Sequence, residues 1–109
     1  MDQDKTQVIK PSGILDATTS QELRSQITEC VDNGIKIILV DFADVTFMDS
    51  SGLGALVLAF KGLRAAENQL FICSVNEQIK ILFELTGMDK VFTIFANQDQ
   101  FYQSVLSRS

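Results

Sequence analysis

The sequence predicts an α/β fold built on a mostly parallel sheet of about four to five strands with alternating helices. Three observations carry that reading. Short β-prone runs alternate with segments of helical periodicity between Val8 and Leu106, and the connections between them are short. Such alternation implies right-handed crossovers between parallel neighbours. No linker, low-complexity tract or repeat interrupts the order. The 109 residues, 46% of them hydrophobic, suffice for a single domain over 1–109 with its core at 8–106.

The elements follow in order. Gln7 to Lys10 is β-prone and Pro11-Ser12-Gly13 breaks it, which predicts an edge-type first strand before Ile14, Leu15 and Asp16. Thr19 and Glu22 have the spacing of a capping box, and Leu23, Ile27, Cys30 and Val31 recur at helical spacing until Gly34 ends the helix. Ile35 to Phe42 is nearly continuous apolar, β-branched sequence, as expected of a central strand. A short strand at Val45 to Met48 closes that segment. Leu53, Leu56, Val57, Phe60 and Leu63 then repeat at helical spacing, and Leu70 to Ser74 reads as a strand. Asn76 opens a helix carrying Ile79, Leu82 and Phe83, and Gly87 terminates it. Val91 to Phe95 predicts a further strand. Asn97 and Gln100, again at capping-box spacing, open a last helix bearing Phe101 and Val105.

Composition removes whole classes of chemistry. The chain has no histidine, which rules out His-dependent triads, Cys-His dyads and His-ligated metal sites. Cys30 and Cys73 fall far apart, in a predicted helix and a predicted strand, so buried structural thiols are expected and neither a disulfide framework nor a zinc site. Fourteen acids against 9 bases give a net charge of -5, and the bases are scattered. No basic stripe faces a phosphate backbone, so no direct nucleic-acid contact is expected. The longest apolar run, Leu53 to Phe60, falls far short of the roughly 20 residues of a membrane span. Residues 1–5 lack the basic and apolar parts of a secretory signal, so a cytoplasmic protein without membrane contact is expected.

One stretch stands apart: Phe47-Met48-Asp49-Ser50-Ser51-Gly52-Leu53-Gly54 gathers an acid, two hydroxyls and two glycines where a strand gives way to a helix. The first N–H groups of a helix are unpaired and carry partial positive charge, so an acceptor is wanted there. The plain reading makes Asp49 or Ser50 the N-cap and lets Gly52 permit close packing. Yet one cap needs one residue, and each glycine in a helix's first turns costs on the order of 1 kcal/mol. Phosphate-loop, dinucleotide and nucleophile-elbow patterns are all absent. Asp16 and Asp49 could pair as carboxylates, but no substrate pocket for acid catalysis is evident from the sequence. A serine here suits a phosphorylation switch, because the helix dipole tolerates the roughly -1.5 to -2 charges that a phosphate adds.

The segment Asp49 to Gly54, preceded by Phe47-Met48 and followed by an apolar helix, resembles the phosphorylation segment of STAS domains, specifically of bacterial anti-sigma-factor antagonists. Gly13-Ile14-Leu15-Asp16 is similar to the family's segment before its first helix, and Ile79 to Gly87 resembles its stretch before the last strand; the likeness runs from about Val8 to Leu106. The resemblance implies a non-enzymatic switch without a cofactor, metal or catalytic residue. Unmodified, it would bind a serine/threonine-protein kinase that serves as anti-sigma factor; phosphorylation of Ser50 would release it, and a metal-dependent serine phosphatase would restore it. By the same likeness Asp16 would lie beside Ser50, and Asp16, Asp49, Ser51, Gly52, Leu53 and Gly54 would form the contact surface, with Ala17 and Thr18 giving a plain rim. The alternative is a STAS-type nucleotide- or lipid-binding accessory subunit, in which Ser50 is only a cap. At the N-terminus only Gln7 to Leu15 precedes the first helix, where family members commonly begin with two strands joined by a turn. This implies a missing or replaced edge hairpin.

Overall fold

The computed structural model describes residues 5–106. In chain order it contains β1 (Thr6–Ile9), β2 (Ser12–Leu15), α1 (Thr19–Asp32), β3 (Ile37–Asp41), β4 (Asp44–Met48), α2 (Ser50–Ala65), β5 (Gln69–Cys73), α3 (Glu77–Thr86), β6 (Ile94–Phe95) and α4 (Gln98–Phe101). A 3-10 turn at Met88–Lys90 precedes β6, and a π-helical turn at Tyr102–Leu106 follows α4. A four-stranded sheet has the order β1-β3-β5-β6, and β2 and β4 form a second, two-stranded sheet. Each pairing is parallel. The alternating α/β class and the edge position of the first strand are therefore as the sequence predicts.

The division into two sheets is not. Pro11 has no N–H to donate, so the first strand cannot continue its ladder past Lys10. The chain leaves one sheet after Ile9 and enters the other at Ser12. Its neighbour makes the same step at Phe42 and Ala43, where the Asp41 carboxylate accepts the Ala43 N–H at 2.9 Å and fixes the bend. Two long parallel neighbours are thus folded over together, and the expected single first strand is two strands in different sheets, not a hairpin. A second irregularity lies at Gly13, whose φ of 77° only glycine adopts readily, and there the β2–β4 register shifts. Leu15 and Met48 face inward as a result, while Ile14 and Phe47 face out, 51% and 44% exposed.

Alternation along β3 divides the core. Ile38 and Val40 join Leu23, Ile27, Leu56, Ile79 and Phe83 in the larger cluster, contributed by α1, α2 and α3. Leu39 and Cys73 face the other way and are covered by Phe101 of α4. The four-stranded sheet is covered on both faces, which explains the unbroken apolar run through β3.

Two local expectations fail. The Thr19–Glu22 capping box does not form, and the Asp16 carboxylate accepts the first N–H groups in its place. The predicted strand at Val91–Phe95 shrinks to Ile94–Phe95, because Phe92 turns into the core against the rings of Phe60 and Phe83, at centroid separations of 5.0 and 5.6 Å. Both cysteines are free; Cys73 is buried and Cys30 only half-buried. Burial pushes both thiols up from their ordinary pKa.

Candidate functional site

Leu15 and Met48, the last residues of neighbouring parallel strands, are register partners, so the loops after β2 and β4 leave the sheet side by side. The Asp49 N–H crosses the gap to donate to the Leu15 carbonyl at 3.2 Å. Asp16 and Asp49 therefore open adjacent loops, and each begins a helix.

In the first loop the Asp16 Oδ1 accepts the N–H groups of Thr18 and Thr19 at 3.0 and 3.1 Å. Thr19 faces backward instead: its Oγ1 donates to the Ile14 carbonyl at 2.6 Å and accepts the Asp16 N–H at 2.9 Å. A hydroxyl committed in this way cannot cap, and the carboxylate three residues earlier replaces it. The Thr19 N–H above all, with further help from the Thr18 N–H, holds the Asp16 carboxyl below its usual range.

In the second loop one side chain does all the capping. Asp49 Oδ1 accepts the N–H groups of Ser51 and Gly52 at 2.9 and 3.1 Å. Ser50 and Ser51 are exposed, and neither hydroxyl has a partner among the described residues. The two glycines divide sharply. A Cβ on Gly52 would sit 2.7 Å from the Leu15 carbonyl oxygen and 2.8 Å from Met48 Cγ, whereas a Cβ on Gly54 would meet nothing within 4 Å. Gly52 is thus the point where α2 presses on β2 and β4, and Gly54 is open surface.

Between α1 and α2 lies a shallow groove of about 690 Å³. Ala17 lines it from the loop before α1, Ser20 from α1, and Ser50, Ser51, Gly54 and Leu58 from α2. Leu53 supplies its floor and is only 5% exposed, while Leu58 is 55% exposed. Of the residues singled out from the sequence, Ser50, Ser51, Leu53 and Gly54 share this groove, Asp16 and Asp49 cap the helices beside it, and Gly52 lies beneath.

Sequence reasoning missed what holds β4 in place. The Gln78 side chain accepts the Met48 N–H at 3.0 Å and donates to the Met48 carbonyl at 2.9 Å, completing the strand's free edge as a neighbouring backbone would. Asn76, expected only to open α3, caps Ile79 and also donates to the Val45 and Thr46 carbonyls. A surface glutamine carries no sequence signal for such a role. Leu58 did carry one, being an apolar residue off the core-facing stripe of its helix.

Adjacent helix starts at the carboxyl ends of parallel strands, with hydroxyls left unpaired over an apolar groove, define a small α/β recognition domain. Among known proteins the STAS domain family matches residues 2–101, and the chain belongs to that family. An anti-sigma-B factor antagonist of Staphylococcus aureus (strain NCTC 8325 / PS 47) is 38% identical over 86 residues, covering 79% of this chain and 80% of the relative. The structure of an anti-sigma factor antagonist from Mycobacterium paratuberculosis shares the fold at a TM-score of 0.83 and 25% identity, over 94% of this chain and 86% of that one. SpoIIAA, a cell fate determinant of Bacillus, shares the fold in its phosphorylated form at a TM-score of 0.72 and 24% identity, over 93% of this chain and 91% of its own. Its unphosphorylated form does so at 0.76 and 21%, over 91% and 87%. No helix among the described residues is long and apolar enough to cross a membrane.

Proposed function

We propose that the chain is an anti-sigma-factor antagonist of the cytoplasm, a binding module and not an enzyme, switched by phosphorylation of Ser50. Unmodified, it binds a serine/threonine-protein kinase that doubles as anti-sigma factor; modified, it lets go, and a metal-dependent serine phosphatase resets it. The observation that carries this reading is the division of labour at the start of α2: Asp49 satisfies the helix N–H groups, so the Ser50 hydroxyl stays free and exposed. The relatives named as antagonists of anti-sigma factors support the same assignment.

In the transfer, Ser50 Oγ attacks the γ-phosphorus of ATP held by the kinase. The Oγ–P bond forms as the bond from that phosphorus to the β–γ bridging oxygen breaks; ADP leaves, and the hydroxyl proton passes to a base of the kinase. The phosphate adds about -1.5 to -2 charges beside Asp16 and Asp49, and a surface that fitted the neutral hydroxyl no longer fits. Incubation with the cognate kinase and ATP is expected to place one phosphate on Ser50, read by mass spectrometry. Equal modification of Ser50→Ala removes the assignment.

A further inference from the structure

Arg24 lines the same groove as Ser50 and is the one cation among the residues lining it. It forms no hydrogen bond or ion pair among the described residues. Its helical neighbours at three and four positions, Ser20, Gln21, Ile27 and Thr28, include no acid, so α1 itself offers no partner. The two nearby carboxylates, Asp16 and Asp49, each hold helix N–H groups on Oδ1, and neither forms an ion pair with Arg24. An unengaged guanidinium therefore shares a groove with an unengaged hydroxyl.

Geometry brings the two toward each other. Because β2 and β4 end side by side, α1 and α2 start at the same end of the molecule. Arg24 lies five residues into α1 from Thr19, roughly 7.5 Å along the axis. Long side chains on a helix lean back toward its N-terminus, and that lean carries the guanidinium toward the level of Ser50. A phosphate on Ser50 projects further than the hydroxyl and presents the oxygens that guanidinium binds bidentately.

We propose that Arg24 receives the phosphate of modified Ser50 across the groove, tying α1 to α2 over Leu53 and Leu58. The inference rests on the reading that Ser50 is the modified residue. It adds that release comes from a strap laid across the apolar floor as well as from added charge, which makes Arg24 a positioning residue of the switch.

The test is a phosphorus NMR titration of protein carrying phosphoserine at position 50, installed during translation so that no kinase is needed. A paired guanidinium favours the dianion. The wild-type second phosphate pKa, near 6 when unpaired, is therefore expected about half a unit below that of Arg24→Gln. Arg24→Lys should fall between them. Arg64→Gln, in the last turn of α2, should match wild type. Arg24 is exposed, so the variant is expected to fold, which circular dichroism checks. Equal values for wild type and Arg24→Gln, or an Arg64→Gln change as large, overturn the strap. Failure of a kinase to modify Ser50 would instead count against the functional reading alone.

Discussion

A single methyl group on Gly52 tests whether the contact beneath the switch is as tight as the geometry requires. In an open helix, glycine to alanine gains about 1 kcal/mol from propensity. Gly54→Ala should keep that gain, since its new Cβ meets nothing within 4 Å. Gly52→Ala places the same atom 2.7 Å from the Leu15 carbonyl oxygen, 2.8 Å from Met48 Cγ and 3.2 Å from Leu15 Cβ. Met48 can shift its side chain, but the Leu15 carbonyl is backbone and already accepts the Asp49 N–H. Relieving the clash means moving α2 off β2, an overpacking cost of about 1–3 kcal/mol that exceeds the propensity gain. Gly52→Ala is expected to lose about 1 kcal/mol net while Gly54→Ala gains up to that amount. Urea unfolding of both variants beside wild type reads the difference, and each kcal/mol corresponds to about 4–8 °C in Tm for a small domain. Equal stability of the two variants refutes the argument, because the Leu15 and Met48 contacts crowd position 52 alone.

Two further outcomes follow from the same structure. Burial pushes the Asp41 carboxyl up, but the Gln98 amide at 2.6 Å, the Ala43 N–H and the charge of Lys10 more than offset it and hold its pKa below the usual range. A folded pKa below the unfolded one gives stability that is full above about pH 4 and lost as pH falls through the folded value. Asp41→Asn is expected to be about 1–2 kcal/mol less stable at pH 7. The gap to wild type should close in urea titrations below pH 4, and a gap that persists there sinks the assignment. Leu58→Ser removes apolar surface that the fold does not bury, so stability should change by no more than about 0.5 kcal/mol. Calorimetric titration of the unphosphorylated variant against the kinase should show affinity falling about tenfold; unchanged affinity takes the groove out of the contact surface.

What the sequence reveals and what it hides divide along one line. Signals that act within a few residues were legible: the αL glycines that end α1 and α3, the Asn76 and Asn97 caps, the short strand before Asp49, and the covered strand at Ile37–Asp41. Misreadings arose where a distant partner decides. Thr19 and Glu22 have the right spacing for a cap, but the Ile14 carbonyl claims the hydroxyl. Val91 to Phe95 alternates well enough for a strand, but Phe60 and Phe83 claim Phe92. Pro11 marked a break without saying that both sides of it are strands, because that depends on β4 lying alongside. At the candidate site the helix start was visible and the crowding of Gly52 anticipated. The groove was not, since it exists only where two helices lie together.

The choice of cap links stability to signal in this fold. Had Ser50 capped α2, its oxygen would accept helix N–H groups, and phosphorylation would alter a contact on which the helix depends. With Asp49 as cap, the Ser51 and Gly52 N–H groups are satisfied before and after modification. The hydroxyl can then gain and lose a phosphate while the helix holds. The carboxylate cap sets a fixed negative charge next to Ser50, which the dipole of a 16-residue helix only partly offsets. A phosphate on Ser50 would meet that charge, and the Arg24 guanidinium proposed to receive it would offset the repulsion. Serine, threonine or asparagine at position 49 would cap α2 and leave the Ser50 hydroxyl equally free; what the acidic cap adds is a fixed negative charge beside that hydroxyl, so that a phosphate there depends the more on a neighbouring cation.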